Sequence, residues 1–195
     1  MKHLGTKYLE TERLELRRFV IKDAEAMFKN WASDKEVTKY LTWPAHDSVE
    51  VSAFILDEWV KSYSNPDYYQ WAIVLKENGN APIGCIGVNT LDERTEMAHM
   101  GYCLGRQWWH QGIMSEALKR IIEFLFDEVD VNRIESRFDP NNPYSGAVMA
   151  KCGMKYEGTL RMADRNNQGI CDASYYGILK DEYSGWRCHI GVIEL

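Results

Sequence analysis

The chain lacks any apolar run of about 18 residues or more, the length that a membrane-spanning helix requires, and its first five residues lack the apolar core of a signal peptide. We therefore expect a cytoplasmic protein that does not bind membranes. The chain also has no excess of basic residues, because 23 Lys and Arg stand against 29 Asp and Glu, for a net charge of −6. Without a basic patch, binding to nucleic acid is not expected.

Cysteine is scarce as well. The five cysteines lie far apart and include no C-x-x-C pair, which predicts buried thiols rather than a zinc site or a redox motif; they are Cys85, Cys103, Cys152, Cys171 and Cys188. No metal is expected. Linkers, repeats and low-complexity tracts are absent too, and 195 residues is close to the length of one domain. We expect a single domain over residues 1–195.

Hydrophobic periodicity predicts the order of the strands and helices. Strands are predicted over residues 12–18, 71–75, 83–88, 96–104 and 133–138, with two more on either side of a turn at 166–169. Helices are predicted after Asp23, after Asp47, over 115–129 and over 144–152. This order is typical of an α/β (α+β) fold with a mixed, mostly antiparallel central sheet of about seven strands and with helices on both faces.

A compact turn containing Gly112 joins the strand at 96–104 to an amphipathic helix. The free backbone N–H groups and the dipole of a helix N-terminus bind anions, so a pyrophosphate fits this turn. The turn matches neither G-x-G-x-x-G nor G-x-x-x-x-G-K-[ST]. The sequence therefore argues against a dehydrogenase and against an ATP-binding P-loop protein.

Several motifs together resemble one known family. Residues 109–118, with the pattern W-x-x-G-x-x-x-E-A-L, follow Gly101-Tyr102 and resemble the acetyl-CoA signature of the GNAT superfamily of N-acetyltransferases. Three further segments and an early Glu12-Arg13-Leu14 resemble the branch of ribosomal-protein N-terminal acetyltransferases; the segments are 142–145, 151–161 and 172–179. The resemblance spans about residues 8–183, leaves 184–195 as a C-terminal extension, and implies the GNAT-like acyl-CoA N-acyltransferase fold.

The resemblance also implies where acetyl-CoA binds. Backbone amides of the turn would hold the pyrophosphate, and these belong to Trp109, His110, Gln111, Gly112, Ile113, Met114 and Ser115. The pantetheine arm would lie between two diverging parallel strands near Cys103 and Leu104, with Asn142 in contact with the arm. The chain departs from the family pattern at Met114, where the fullest motif has Gly or Ala, and at His110, where this branch often has Gly, and we expect these larger side chains to crowd the turn.

Acetyl transfer to an amine requires a base, and His99 is the first candidate. It stands two residues before Gly101, where relatives often carry glutamate, and an imidazole that titrates near about pH 6.5 suits the task. Glu96 is the second choice. Asp164 matches an acidic position proposed as the base in the ribosomal-protein branch, and a chain of water molecules is a further alternative.

Ser145 is the candidate partner of the departing thiolate. Many members of the superfamily use a tyrosine seven residues after the asparagine of the motif, but that position is Met149 here, which cannot donate a proton. In the ribosomal-protein branch the serine three residues after the asparagine is a proposed acid. Strand amides such as those of Cys103 and Leu104 would polarise the thioester carbonyl.

These interpretations converge on an N-acetyltransferase that moves the acetyl group of acetyl-CoA to a primary amine by direct attack in a ternary complex. A protein or peptide N-terminal amine is the favoured acceptor. The alternatives are a small-molecule amine, such as a polyamine, an aminoglycoside or an amino acid derivative, and a non-catalytic CoA-binding sensor. Trp43 is a candidate for the acceptor cleft. A monomer and a homodimer are both compatible with the sequence.

Overall fold

The computed structural model describes residues 1–183 and contains one sheet of eight strands. In chain order the strands are β1 (Leu9–Glu10), β2 (Leu14–Arg17), β3 (Gln70–Leu75), β4 (Pro82–Asp92), β5 (Met97–Leu104), β6 (Arg133–Phe138), β7 (Lys155–Asn166) and β8 (Gly169–Leu179). Their order across the sheet is β1-β2-β3-β4-β5-β6-β8-β7. The predicted C-terminal extension, with Cys188, lies outside the described residues.

The helices are α1 (Ala24–Met27), α2 (Lys35–Thr38), α3 (Val49–Ser62), α4 (Ile113–Phe124) and α5 (Pro143–Lys151). Wider π-helical turns extend α1 over Phe28–Ala32 and α4 over Leu125–Val129. Short 3-10 turns occupy Ile21–Asp23, Lys76–Asn78 and Arg106–Trp108. Among the described residues, no helix is both long and apolar enough to cross a membrane.

The predicted fold class is confirmed, with eight strands in place of about seven. The additional strand is β1, whose two residues pair with β2 through Leu9 and Leu16 and are too few to show a periodic pattern. The helix predicted after Asp23 does begin at Ala24, but the Asp23 side chain does not cap it. The Asp23 carboxylate binds the Arg17 guanidinium and the backbone N–H of Val20, and α3 follows Ser48 instead of Asp47.

Helices cover both faces of the sheet. On one face α4 and α5 pack on β3 to β6, where Trp71 and Phe124 meet with their rings 5.8 Å apart. On the other face α1 and α3 pack around Trp31 and Leu56, which are fully buried. Because side chains alternate along a strand, β5 directs Ala98 and Met100 towards α4 and directs His99 and Cys103 towards the opposite face.

Strands β5 and β6 are the only parallel neighbours among the eight described strands, and they separate before they end. Their pairing stops at Met100 and Ser136, where the Ser136 hydroxyl donates to the Met100 carbonyl at 2.9 Å. Beyond that point β5 continues to Leu104 and β6 continues to Phe138 without pairing to each other. The sheet therefore opens at its centre, beside the N-terminal ends of α4 and α5.

Candidate functional site

The turn between β5 and α4 presents a run of free amides. The N–H groups of residues 110–115 have no hydrogen-bond partner among the described residues, and the first helical bond runs from the Glu116 N–H to the Gly112 carbonyl at 3.0 Å. Gly112 has φ of +75°, a left-handed conformation that glycine adopts without strain. These amides and the helix dipole form a site suited to an anion such as a pyrophosphate.

Side chains on either side brace this turn. The Trp109 indole Nε1–H donates to the Leu104 carbonyl at 2.7 Å, and the Gln111 side-chain amide donates to the Gln107 carbonyl at 2.9 Å. The first contact joins the turn to the end of β5. The amides of the turn are therefore held in place before any ligand arrives.

The two departures from the family pattern have different consequences. The expectation that Met114 crowds the turn is wrong, because its side chain is buried in the core beneath α4. His110 does sit on the turn, with φ of +61° and its ring edge-on to Tyr144 at 4.7 Å between centroids. A left-handed φ explains why glycine suits this position better than a larger residue.

The predicted pantetheine residues surround the opening in the sheet. Cys103 and Leu104 lie on the part of β5 that has left β6. Asn142 precedes the first residue of α5, and its side-chain amide makes no hydrogen bond with any described residue. An unpartnered amide at this point can bond to an extended polar chain.

Ser145 meets a residue that sequence reasoning missed. The Tyr102 hydroxyl donates to the Ser145 carbonyl at 2.9 Å and lies 3.1 Å from Ser145 Oγ. Burial raises the pKa of Tyr102, so the phenol stays protonated at neutral pH. The motif Gly101-Tyr102 was visible in the sequence, but the contact of this hydroxyl with a helix 43 residues later was not.

His99 lies on the opposite face of β5 and is buried. Its Nδ1 is 3.2 Å from Glu135 Oε1, and its Nε2 has no hydrogen-bond partner among the described residues. Burial lowers the pKa of His99 below the usual 6.5, and the hydrogen bond that Glu135 accepts from the ring partly opposes that shift. Glu135 was missed because only the parallel register of β5 and β6 places it opposite His99.

The other two candidate bases are engaged by cations. Asp164 forms an ion pair with Arg137, whose Nε is 2.6 Å from Asp164 Oδ2. Arg137 lowers and Asp164 raises the pKa of His99, after the larger effects of burial and Glu135, so this pair lies close enough to affect the imidazole. Glu96 binds the ammonium group of Met1 at 2.9 Å, at the far end of β5.

Trp43 lies in a loop that the hairpin between β7 and β8 contacts. Asn167, at the tip of that hairpin, donates from Nδ2 to the carbonyls of Thr38 and Trp43 at 2.8 and 2.7 Å, and from its backbone N–H to Leu41 at 3.2 Å. The Trp43 ring contacts the His46 ring at 5.3 Å. The hairpin and the loop 38–43 thus form a bridge between two parts of the fold that are distant in sequence.

A cleft of about 410 Å³ lies beside this hairpin. It is lined by Asp139, Pro140, Asn141, Met162, Gln168, Ile170, Cys171 and Asp172. The carboxylates of Asp139 and Asp172 in its wall favour a cationic ligand.

The four cysteines within residues 1–183 are free thiols. Cys85, Cys103 and Cys152 are buried as predicted, and Cys171 is half-buried. Burial raises the pKa of Cys103 well above its usual value, so this thiol is not a nucleophile at neutral pH. In the same part of the chain no group of three or more His, Cys, Asp or Glu side chains is arranged to hold a metal ion.

Comparisons with known proteins agree with this geometry. A family model described as an acetyltransferase (GNAT) domain matches residues 13–155. N-acetyltransferase p20 of Bacillus licheniformis is 33% identical over 181 residues, which cover 91% of this chain and 98% of that protein. Ribosomal-protein-serine acetyltransferase of Escherichia coli is 28% identical over 114 residues, 58% of this chain and 63% of that protein.

Among solved structures, RimL, a ribosomal α-N-protein acetyltransferase in complex with coenzyme A, has a TM-score of 0.80 with this chain. The similarity covers 90% of this chain and 99% of that one at 21% identity. At this identity the similarity concerns the fold.

The left-handed backbone at His110 should make the stability of the protein depend on which small residue replaces the histidine. His110→Gly and His110→Ala both remove the ring contact with Tyr144, so they differ only in how well they adopt φ of +61°. We expect the glycine variant to be more stable than the alanine variant by about 1 kcal/mol in urea unfolding. Equal stability of the two variants would contradict the conformation described for this turn.

Proposed function

The chain belongs to the GNAT family of acetyltransferases, and we propose that its acceptor is the N-terminal amine of a protein or peptide. It is an acetyl-CoA-dependent N-acetyltransferase. The observation that carries the acetyl transfer is that β5 bears three features along its length: a buried imidazole, the separation from β6 that follows it, and, after its end, the free amides of residues 110–115.

Acetyl-CoA fits the residues around the opening. The amides of residues 110–115 are proposed to hold its pyrophosphate. The unpartnered Asn142 side chain and the end of β5 at Cys103 and Leu104, which no longer pairs with β6, are proposed to hold its pantetheine arm. When bound, acetyl-CoA supplies the thioester carbonyl that the amine attacks. An amide of Cys103 or Leu104 is the proposed donor to that carbonyl oxygen.

His99 is the proposed base. With its Nδ1–H donating to Glu135, the imidazole presents the lone pair of Nε2, which has no partner among the described residues. Its lowered pKa keeps it neutral at pH 7, so it is ready to take a proton from an incoming ammonium group. Glu135 holds the ring in this tautomer and stabilises the imidazolium that forms.

The proposed donor to the departing sulfur is the hydroxyl pair of Ser145 and Tyr102. The two oxygens are 3.1 Å apart and the Tyr102 hydrogen is directed at the Ser145 carbonyl, so Tyr102 positions the serine while Ser145 Oγ–H is the proposed hydrogen-bond donor to the departing sulfur. Because Tyr102 projects from the opposite face of β5 to His99, proton removal and proton delivery occur on opposite sides of the sheet.

Three observations support a peptide N-terminus as the acceptor. The bridge made by Asn167 to the loop 38–43 favours a slender, extended substrate. Asp139 and Asp172 in the adjacent cleft favour a cationic end group. A relative named above is a ribosomal-protein-serine acetyltransferase.

Two further residues have proposed roles at the acceptor. Asp164, which Arg137 holds, is the proposed second carboxylate facing the acceptor, and Trp43 is the proposed wall of the cleft.

The first test concerns the acceptor. CoA release should be measured with peptides that carry free N-termini, with the same peptides N-acetylated, and with polyamines, aminoglycosides and amino acids. We expect CoA release with the free peptides and none with the N-acetylated ones. Mass spectrometry should locate the new acetyl group on the α-amine. Turnover confined to a small-molecule amine would replace the proposed acceptor, and no turnover on any amine would favour a sensor.

The second test concerns the base. His99→Gln should lower kcat by about 10²-fold or more with little change in the KM of acetyl-CoA, because general-base catalysis contributes on this scale. The wild-type rate should fall as pH drops through the His99 pKa, below 6.5, because protonation removes the base. Glu135→Gln should move that acid limb to lower pH, since Glu135 raises the His99 pKa.

Glu123→Gln is the matched control for this series, because Glu123 is an exposed carboxylate on α4. It should leave both kcat and the acid limb unchanged. An acid limb that persists unaltered in His99→Gln would assign the base to another group.

A further inference from the structure

The early motif Glu12-Arg13-Leu14 has no role in the function proposed so far, yet Arg13 reaches the turn that precedes α4. Its guanidinium donates from Nη1 to the Gln111 carbonyl at 3.1 Å. Its Nε and Nη2 lie 2.7 and 2.6 Å from Glu116 Oε2, in the first turn of α4. A residue just before β2 thus holds both the turn and the helix that follows it.

We propose that Arg13 is a positioning residue for the pyrophosphate of acetyl-CoA; this inference rests on the proposed placement of that group at residues 110–115. In this proposal Arg13 acts through the turn. Its Nε–H and its two terminal nitrogens are already directed at Glu116 and Gln111.

The first part of its action is geometric. A peptide unit is planar and trans, so its C=O and N–H point in opposite directions. Because Arg13 binds the Gln111 carbonyl, the N–H of Gly112 in the same peptide unit points away from Arg13. Gly112 is the residue of the turn with the least intrinsic conformational restriction, and its φ is +75°. Arg13 therefore fixes the most easily rotated amide of the run.

The second part is electrostatic. Burial raises the pKa of Glu116, but hydrogen bonds from Thr11 and Arg13 outweigh that effect and lower it, so Glu116 is ionised at neutral pH. An ionised carboxylate in the first turn of α4 would repel an anion bound at the same helix end. The guanidinium of Arg13 neutralises that charge in place. Thr11 and the backbone N–H of Arg13 complete the shell around the carboxylate.

The test compares acetyl-CoA with a shorter ligand that ends before the pyrophosphate and the nucleotide. Binding of acetyl-CoA and of S-acetylpantetheine, which lacks the pyrophosphate and nucleotide, should be measured by calorimetry for wild type and variants. Arg13→Gln should weaken acetyl-CoA binding about tenfold, as expected for loss of charge-assisted hydrogen bonds, and leave S-acetylpantetheine within twofold. Arg13→Lys should lose about threefold, because one ammonium cannot bridge Gln111 and Glu116 as the planar guanidinium does.

A double variant separates the geometric action of Arg13 from its electrostatic action. Adding Glu116→Gln to Arg13→Gln removes the carboxylate left without its partner, so part of the lost affinity for acetyl-CoA should return. Arg17→Gln is the matched control. Arg17 belongs to β2 and forms its ion pair with Asp23, so this variant should leave the ratio of the two affinities at the wild-type value.

Each other outcome overturns a specific statement. If Arg13→Gln weakens both ligands equally, or neither, Arg13 has no role at the pyrophosphate. If wild type itself binds the two ligands equally, the pyrophosphate is not held at residues 110–115, and the proposed placement falls together with this inference. If wild type prefers acetyl-CoA strongly and Arg13→Gln keeps that preference, the placement stands and the role of Arg13 does not.

Discussion

The separation of β5 from β6 is the constraint on which the rest of the site depends. Backbone polar groups in a protein interior must find partners, and two parallel strands normally satisfy each other along their whole length. Here the pairing of β5 with β6 stops at Met100 and Ser136, where the Ser136 hydroxyl donates a hydrogen bond to the Met100 carbonyl. Beyond that point β5 stays paired with β4 and β6 with β8, but their facing edges no longer pair with each other, and a ligand with amides of its own can complete these edges.

The opening also gives the sheet two chemically different sides at one place. Alternation along β5 sends His99 to the face covered by α1 and α3 and sends Tyr102 to the face covered by α4 and α5. Each has a partner from another element, Glu135 on β6 and Ser145 on α5. A group seated in the opening would therefore have an imidazole on one side and hydroxyls on the other. With its anionic end at the free amides of the turn, as proposed, that group would enter from the end of β5.

The sequence predicted the parts of this arrangement that repeat locally, and it could not predict those created by pairing. Periodicity located seven of the eight strands, the four longer helical segments and the anion-binding turn, because each leaves a pattern in consecutive residues. Glu135, Tyr102 and Arg13 acquire their contacts only when strand register and helix packing bring them to residues 36, 43 and 98 to 103 positions away. The expectation for Met114 was wrong because the sequence gives the size of this side chain but not the direction in which it points, which is into the core.

The most direct measurement for this account is amide hydrogen exchange, followed residue by residue, with and without acetyl-CoA. Exchange slows where an amide gains a hydrogen bond or loses access to water. The account predicts that acetyl-CoA protects the amides of residues 110–115 and those of β5 beyond Met100 that face the opening and not β4. Protection elsewhere with both of these segments unchanged would contradict it.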